Sequence, residues 1–186
     1  MIERIIDAAP GLVVLDEAYQ PFSSKSYIDR IAKHSHVLLM RTLSKFGLAG
    51  VRLGYMMGPK ALIAEIDKVR PPYNISVLNY ECALFALEHR DVFARQAQEL
   101  VAQRTVLLDA LGAMKGVKTW KSDANMILVR VPDATKTFEG MRARKVLVKN
   151  VSKMHPLLAN CLRLTVGTAE ENSQMLAALE DRKSVV

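Results

Sequence analysis

The sequence predicts an α/β fold in which helices cover a mixed, mostly parallel sheet. Short apolar runs such as Leu12-Val13-Val14-Leu15 and Val37-Leu38-Leu39-Met40 have the length and composition of buried strands. Longer stretches with helical spacing of apolar residues separate these runs. Proline and glycine stand at several of the junctions, where they favour turns. This alternation is typical of strands that pair side by side under a layer of helices.

The predicted elements follow one another along the whole chain. Helices are predicted at 26–33, 59–69, from 77 onward, and at 91–112, 135–144 and 170–179, and strands at 12–15, 36–41, 53–57, 117–120, 125–131, 146–149 and 161–166. The helix at 91–112 is long and amphipathic, which suits a link between two domains. We therefore divide the chain into residues 1–90 and residues 91–186, the second comprising this helix and a smaller α/β layer.

Composition excludes several classes of protein. Half of the residues are hydrophobic (50%) and 24% are charged, and no apolar run approaches the roughly 20 residues of a membrane span. The net charge of +7 comes from scattered basic residues, so no nucleic-acid surface is expected. The two cysteines and four histidines lack metal-ligand spacing, and no metal is expected. The first residues do not resemble a secretory leader, so we expect a cytoplasmic protein.

A polar passage between two predicted strands carries the strongest functional signal. It reads Arg41-Thr42-Leu43-Ser44-Lys45-Phe46-Gly47-Leu48-Ala49-Gly50-Val51-Arg52. Loops that join core strands are common places for sites. Lys45 has the amine for a covalent carbonyl adduct, and Ser44 and Arg52 supply donors for an anion. Taken alone this signal is weak, because most lysines in loops are solvated charges.

A second signal lies at the end of the first predicted strand. The apolar run there ends at Asp16, which places a carboxylate at the carboxyl end of a strand. Asp16 could therefore face Lys45 across one cleft. A helix cap or a surface acid is the alternative interpretation of Asp16.

Several motifs together resemble a known family. They are Val14-Leu15-Asp16-Glu17-Ala18-Tyr19, the passage around Lys45, Pro71-Pro72-Tyr73-Asn74, and Leu162-Arg163-Leu164-Thr165-Val166-Gly167-Thr168. In this order they resemble the fold-type I pyridoxal-phosphate aminotransferases of class I and II, especially those that act on histidinol phosphate. The resemblance implies a partial cofactor-binding large domain at 1–90, followed by the linking helix and the small domain.

The resemblance also implies a role for each matching residue in binding pyridoxal 5'-phosphate. Lys45 would form the Schiff base and move the proton, Asp16 would pair with the pyridine nitrogen, and Tyr19 would hydrogen-bond the phenolic oxygen. Ser44 and Arg52 match phosphate ligands. Tyr19 could otherwise be an ordinary half-buried aromatic residue, and Arg52 a partner in a surface salt bridge.

Arg163 matches the arginine that grips the carboxylate of the substrate. It stands in an apolar strand, where an unpaired guanidinium is costly, and an incoming carboxylate would supply its partner. The implied substrates are an amino acid or a phosphorylated amino alcohol and a 2-oxo acid. The implied assembly is a homodimer.

One departure from the family affects these expectations. The chain resembles only the C-terminal half of such an enzyme, so part of the phosphate cradle and some strands of the sheet are expected to be missing. An open sheet edge should remain. Two alternatives to an aminotransferase of histidine biosynthesis follow: a non-catalytic fragment that oligomerises, or a pyridoxal-phosphate decarboxylase of phosphorylated threonine.

Overall fold

The structure of the protein is a computed structural model that describes residues 1–180. The chain divides into two compact units between Ala97 and Gln98. The helices are α1 (Ile2–Ala8), α2 (Arg30–Lys33), α3 (Lys60–Asp67), α4 (Val77–Glu88), α5 (Arg90–Ala113), α6 (Ala134–Ala143) and α7 (Ala169–Glu180). The strands are β1 (Val13–Asp16), β2 (Val37–Thr42), β3 (Gly54–Met57), β4 (Lys118–Thr119), β5 (Met126–Arg130), β6 (Lys149–Asn150) and β7 (Cys161–Thr165).

The first unit contains a three-stranded mixed sheet with β2 at its centre. β1 pairs with β2 in parallel and β3 pairs with β2 antiparallel. Val37, Leu38 and Leu39 of β2 are at most 1% exposed, as expected for an apolar strand covered on both faces. β1 and β3 form the two edges, and neither has a further strand partner within residues 1–180. The predicted mixed sheet and its open edge are therefore present.

Helix α4 carries apolar residues around most of its circumference. Ser76 caps it, with its Oγ accepting a hydrogen bond from the Asn79 N–H at 3.2 Å. Ala83 and Ala86 face the interior of the first unit, whereas Leu78 and Phe85 are 77% and 60% exposed. A helix that is apolar on several faces is normally enclosed. Its exposed side chains therefore form an apolar surface that the described residues leave uncovered.

The second unit contains a four-stranded antiparallel sheet in the order β4-β5-β7-β6. Alternate residues of β5 are buried, because a strand turns successive side chains to opposite faces. Its core joins β5, β7, α6, α7 and the last turns of α5. The fully buried members of this core include Leu111, Ile127, Met141, Leu164 and Leu179.

Two predicted elements differ most from their predicted bounds. Helix 26–33 is helical only at Arg30–Lys33, because the Ser26 hydroxyl and the Tyr27 N–H are bound to the Glu17 carboxylate. Strand 146–149 is reduced to Lys149–Asn150. Residues 145 and 146 instead belong to the C-terminal cap of α6. The Val146 N–H donates to Met141 O at 3.0 Å, with Lys145 in the left-handed region at φ 63°.

Helix α1 was not predicted from the sequence. Cys82 is exposed, whereas Cys161 is buried. Within residues 1–180, no helix is both long enough and apolar enough to span a membrane.

Candidate active site

The first part of the site is the turn that follows β1. Asp16 ends the strand, and its Oδ1 accepts a hydrogen bond from the Ala18 N–H at 2.9 Å, which fixes the direction of the turn. Tyr19 then leads into a short 3₁₀ helix (Gln20–Phe22) anchored by the buried Phe22. The Asp16 carboxylate remains exposed at the carboxyl end of the strand. A parallel pair of strands presents such ends at one edge of the sheet.

The second part is the loop between β2 and β3, which is closed at its base by one hydroxyl group. Thr42 Oγ1 donates to Leu53 O at 3.1 Å and accepts from the Ser44 N–H at 3.1 Å. The Leu43 N–H also donates to Leu53 O, at 3.0 Å. The residues that enter the loop and those that leave it are therefore tied together.

Packing holds the middle of the same loop. Leu43 and Val51 are buried against Ala83 of α4. Gly47 has φ +100°, and a Cβ at this position would lie 3.2 Å from a ring carbon of Phe93. Only glycine combines that backbone conformation with so close an approach. The backbone around Lys45 is therefore well defined.

The structure brings Lys45 and Tyr19 together. Lys45 Nζ lies over the Tyr19 ring, 5.1 Å from its centroid, in a cation–π contact. Within residues 1–180, Lys45 forms no salt bridge with a carboxylate and its Nζ has no hydrogen-bond acceptor. The same residues show no ion pair between Asp16 and Lys45. Among these residues the amine is therefore not committed to a carboxylate.

Ser44 and Arg52 add uncommitted hydrogen-bond donors close to Lys45 in sequence. The exposed Arg52 adopts φ 53° and ψ 36°, a left-handed conformation that is rare outside glycine. Its Nη1 makes one long hydrogen bond, 3.4 Å, to Ala49 O. No partner of the Ser44 hydroxyl is found in the described part of the chain. An amine, a hydroxyl and a guanidinium fit an anionic carbonyl compound.

An open cavity of about 690 Å³ extends from the same sheet towards α3. Asp16, Thr42 and Tyr55 line one side, and Arg70 and Asn74 line another. Lys45 and Tyr19 are not part of the lining. The cavity therefore makes Asp16 accessible but does not enclose the reactive amine.

Arg163 occupies the second unit, on β7. Its Nε is buried and has no hydrogen-bond partner within residues 1–180. Arg163 pairs in register with Leu128 on one side and Lys149 on the other, so two cations stand directly opposite each other. Like charges in that arrangement repel. An anion bound here would relieve both the unpaired donor and the repulsion.

The family model of aminotransferase class I and II matches residues 1–179. The chain belongs to this family. The chain spans about half the length of the curated relatives that it matches.

Three individual proteins illustrate the similarity. The histidinol-phosphate aminotransferase of Polaromonas naphthalenivorans is 80% identical over 183 residues, covering 97% of this chain and 50% of the relative. The structure of histidinol-phosphate aminotransferase from Sinorhizobium meliloti in complex with pyridoxal-5'-phosphate has a TM-score of 0.81 at 24% identity, covering 99% of this chain and 53% of that one. The structure of L-threonine-O-3-phosphate decarboxylase from Porphyromonas gingivalis has a TM-score of 0.86 at 23% identity, covering 98% of this chain and 58% of that one. The two structures show the same fold.

Sequence reasoning missed two residues that pair at the candidate site. Glu17 and Arg41 form an ion pair, with Arg41 Nη2 2.8 Å from Glu17 Oε2. Both residues stand inside the motifs described above, next to Asp16 and to the passage around Lys45. A carboxylate directly after one apolar strand and an arginine near the end of the next are the signal that could have revealed them.

Proposed function

We propose that this chain serves the transfer of an amino group between histidinol phosphate and 2-oxoglutarate in histidine biosynthesis, with pyridoxal 5'-phosphate as cofactor. The 80% identity to a histidinol-phosphate aminotransferase supports this substrate assignment. The observation that carries the proposal is the Lys45 amine, which lies against Tyr19 and has no salt-bridge partner among the described residues. A decarboxylase of threonine phosphate shares the fold, but no feature of the described residues favours that reaction.

Lys45 is the proposed covalent anchor. When bound, pyridoxal phosphate supplies an aldehyde for amines and a ring that withdraws electrons from the reacting carbon. The Lys45 amine would hold that aldehyde and, once an incoming amine had taken its place, Nζ would carry a proton to and from the substrate. Tyr19 lies beneath the amine, and its hydroxyl would be available to the phenolic oxygen of the cofactor.

Asp16, Ser44 and Arg52 are the proposed electrostatic contacts. The accessible Asp16 carboxylate suits a protonated ring nitrogen, which keeps the ring electron-withdrawing. Ser44 and Arg52 suit a phosphate, because a hydroxyl and a guanidinium donate several charge-assisted hydrogen bonds to a dianion. Arg163 suits the carboxylate of the substrate, since its buried Nε lacks a partner among the described residues.

The larger organisation is also part of the proposal. The division between Ala97 and Gln98 supports a cofactor-binding part at 1–90 and a linking helix with a small domain at 91–186. The exposed apolar residues of α4 and the open edge at β1 support burial against further protein, for which we propose the homodimer. We propose the cytoplasm as the location, where amino-acid biosynthesis operates.

The first test is the visible absorbance of the purified chain with pyridoxal phosphate, followed by borohydride reduction and peptide mapping. We expect the label on Lys45 and its loss in Lys45→Ala. Lys25→Ala, which removes an exposed lysine of the same unit, is the control and should keep the label. Label on other lysines only, or no label, would contradict the cofactor assignment and favour a non-catalytic fragment.

The second test separates the two reactions. Incubation with histidinol phosphate and 2-oxoglutarate should yield glutamate. Release of carbon dioxide from threonine phosphate, without glutamate formation in the first assay, would replace the aminotransferase proposal by the decarboxylase.

A further inference from the structure

Glu17 is the only charged residue among the buried residues of the described chain, at 9% exposure. Its Oε2 accepts hydrogen bonds from Arg41 Nη2 at 2.8 Å and from Arg41 Nε at 3.1 Å. The Ser26 hydroxyl and the Tyr27 N–H also donate to this carboxylate. A buried carboxylate requires such partners, because removal from water is costly. None of the roles proposed above uses this group.

The ion pair lies where the two segments of the site leave the sheet. Glu17 directly follows Asp16 and precedes Tyr19 by two residues, and Arg41 precedes Lys45 by four. The Glu17 N–H donates to Met40 O at 2.8 Å, which continues the parallel pairing of β1 and β2 by one step. Beyond this step no backbone hydrogen bond between the two segments is found among the described residues. The side chains of Glu17 and Arg41 are thus the last link between them before Tyr19 and the Lys45 loop.

The Arg41 guanidinium is hydrogen-bonded to other side chains of the protein, whereas that of Arg52 is not. Its Nη2 donates to Glu17 and also to Ser26 Oγ, at 2.9 Å, and its side chain is 19% exposed. Arg52 is exposed and makes one long hydrogen bond. The two arginines of the passage therefore have different tasks: Arg52 is open to a ligand, whereas Arg41 binds the protein itself.

We propose that the Glu17–Arg41 ion pair is a positioning element that holds the turn carrying Tyr19 against the loop carrying Lys45. The bidentate guanidinium defines one relative placement of the two segments, which a flexible lysine would define less sharply. Buried ion pairs often add little net stability. We therefore expect this pair to fix the relative placement of the two segments more than to raise the free energy of unfolding. As far as it concerns the reactivity of Lys45, this inference rests on the proposed cofactor.

The test compares Arg41→Met, Glu17→Gln and the conservative Arg41→Lys with wild type in two measurements. The first is the rate of borohydride-trapped labelling of Lys45 by pyridoxal phosphate, under conditions in which urea titration shows each variant folded. We expect Arg41→Met and Glu17→Gln to label about tenfold more slowly, since small misplacements of reacting groups cost rate steeply. Arg41→Lys should lie between them and wild type.

The second measurement needs no cofactor. Amide hydrogen exchange at residues 18–20 and 44–46 should accelerate in Arg41→Met and Glu17→Gln. Glu3→Gln removes another ion pair of the same unit, that between Glu3 and Arg30, and should leave these amides and the labelling rate unchanged.

The outcomes separate the two proposals. Unchanged exchange at both segments in folded Glu17→Gln and Arg41→Lys would overturn the positioning role, as would an unchanged labelling rate. Absence of labelling in wild type would overturn the cofactor assignment instead, and hydrogen exchange would then decide the positioning role alone. If Arg41→Met does not fold, Glu17→Gln and Arg41→Lys still give both measurements.

Discussion

Replacement of Arg163 by methionine should stabilise the second unit while removing the guanidinium that we propose binds a carboxylate. The Nε of Arg163 is a buried donor without a partner in residues 1–180. Methionine keeps an unbranched apolar side chain in the strand but removes the donor and the charge. The substitution therefore removes an unfavourable group without opening a large cavity.

The magnitude follows from that single atom. An unsatisfied buried donor costs about 1–3 kcal/mol. Only Nε is buried without a partner, and Arg163 as a whole is half-buried, so the lower end applies. We expect the free energy of unfolding of Arg163→Met to rise by about 1 kcal/mol. Loss of the repulsion with Lys149 acts in the same direction.

Urea denaturation followed by tryptophan fluorescence measures this change, because Trp120 is the sole tryptophan and lies in the second unit. The matched control is Arg130→Met on β5. Its arginine donates to Ala159 O at 3.0 Å and to Leu157 O at 2.7 Å, so its loss should destabilise the unit. Added 2-oxoglutarate should raise the urea midpoint of wild type and leave that of Arg163→Met unchanged.

Two results would refute the reasoning about Arg163. One is a free energy of unfolding that falls in Arg163→Met as it does in Arg130→Met, which would make Arg163 a structural residue. The other is an equal shift of the midpoint by 2-oxoglutarate in wild type and in Arg163→Met, which would place the carboxylate elsewhere.

Two further substitutions test the supports of the site. Gly47→Ala should lower the free energy of unfolding by about 1–2 kcal/mol, because φ +100° is unfavourable for alanine and the new Cβ would crowd Phe93. The control is Gly11→Ala, which has no atom within 4 Å of its Cβ and should be neutral in the same urea titration. Equal effects of the two substitutions would contradict the strain at Gly47. Asn172→Ala should lower the free energy of unfolding by about 1–3 kcal/mol, because the buried side-chain amide is hydrogen-bonded to both the N–H and the C=O of Gly167. Replacement of the exposed Gln174 by alanine on the same helix should leave the free energy of unfolding unchanged.

Much of the secondary structure could be predicted from the sequence because its causes are local. The apolar run at 37–40 specifies a buried strand, and Ser76 specifies where α4 begins. The predicted helix at 26–33 was wrong over its first half, because the Glu17 carboxylate binds Ser26 and Tyr27. A contact between groups nine or ten positions apart overrode the local preference.

For the site, the sequence by itself determined which chemical groups are present and their order: a strand-end carboxylate, a tyrosine, and a lysine with a hydroxyl and an arginine nearby. The motifs also indicated the family, which the comparisons confirm. The roles of Lys45, Asp16, Tyr19, Ser44 and Arg52 stay predictions.

Only the tertiary structure decided which of these groups are bound to the protein and which are left open. It paired Arg41 with Glu17, 24 positions away, and left Arg163 Nε without a partner in the described chain. It also set Lys45 over Tyr19. The physical reason is that hydrogen bonds and ion pairs between distant segments depend on the parallel register of β1 and β2 and on burial, neither of which local periodicity specifies.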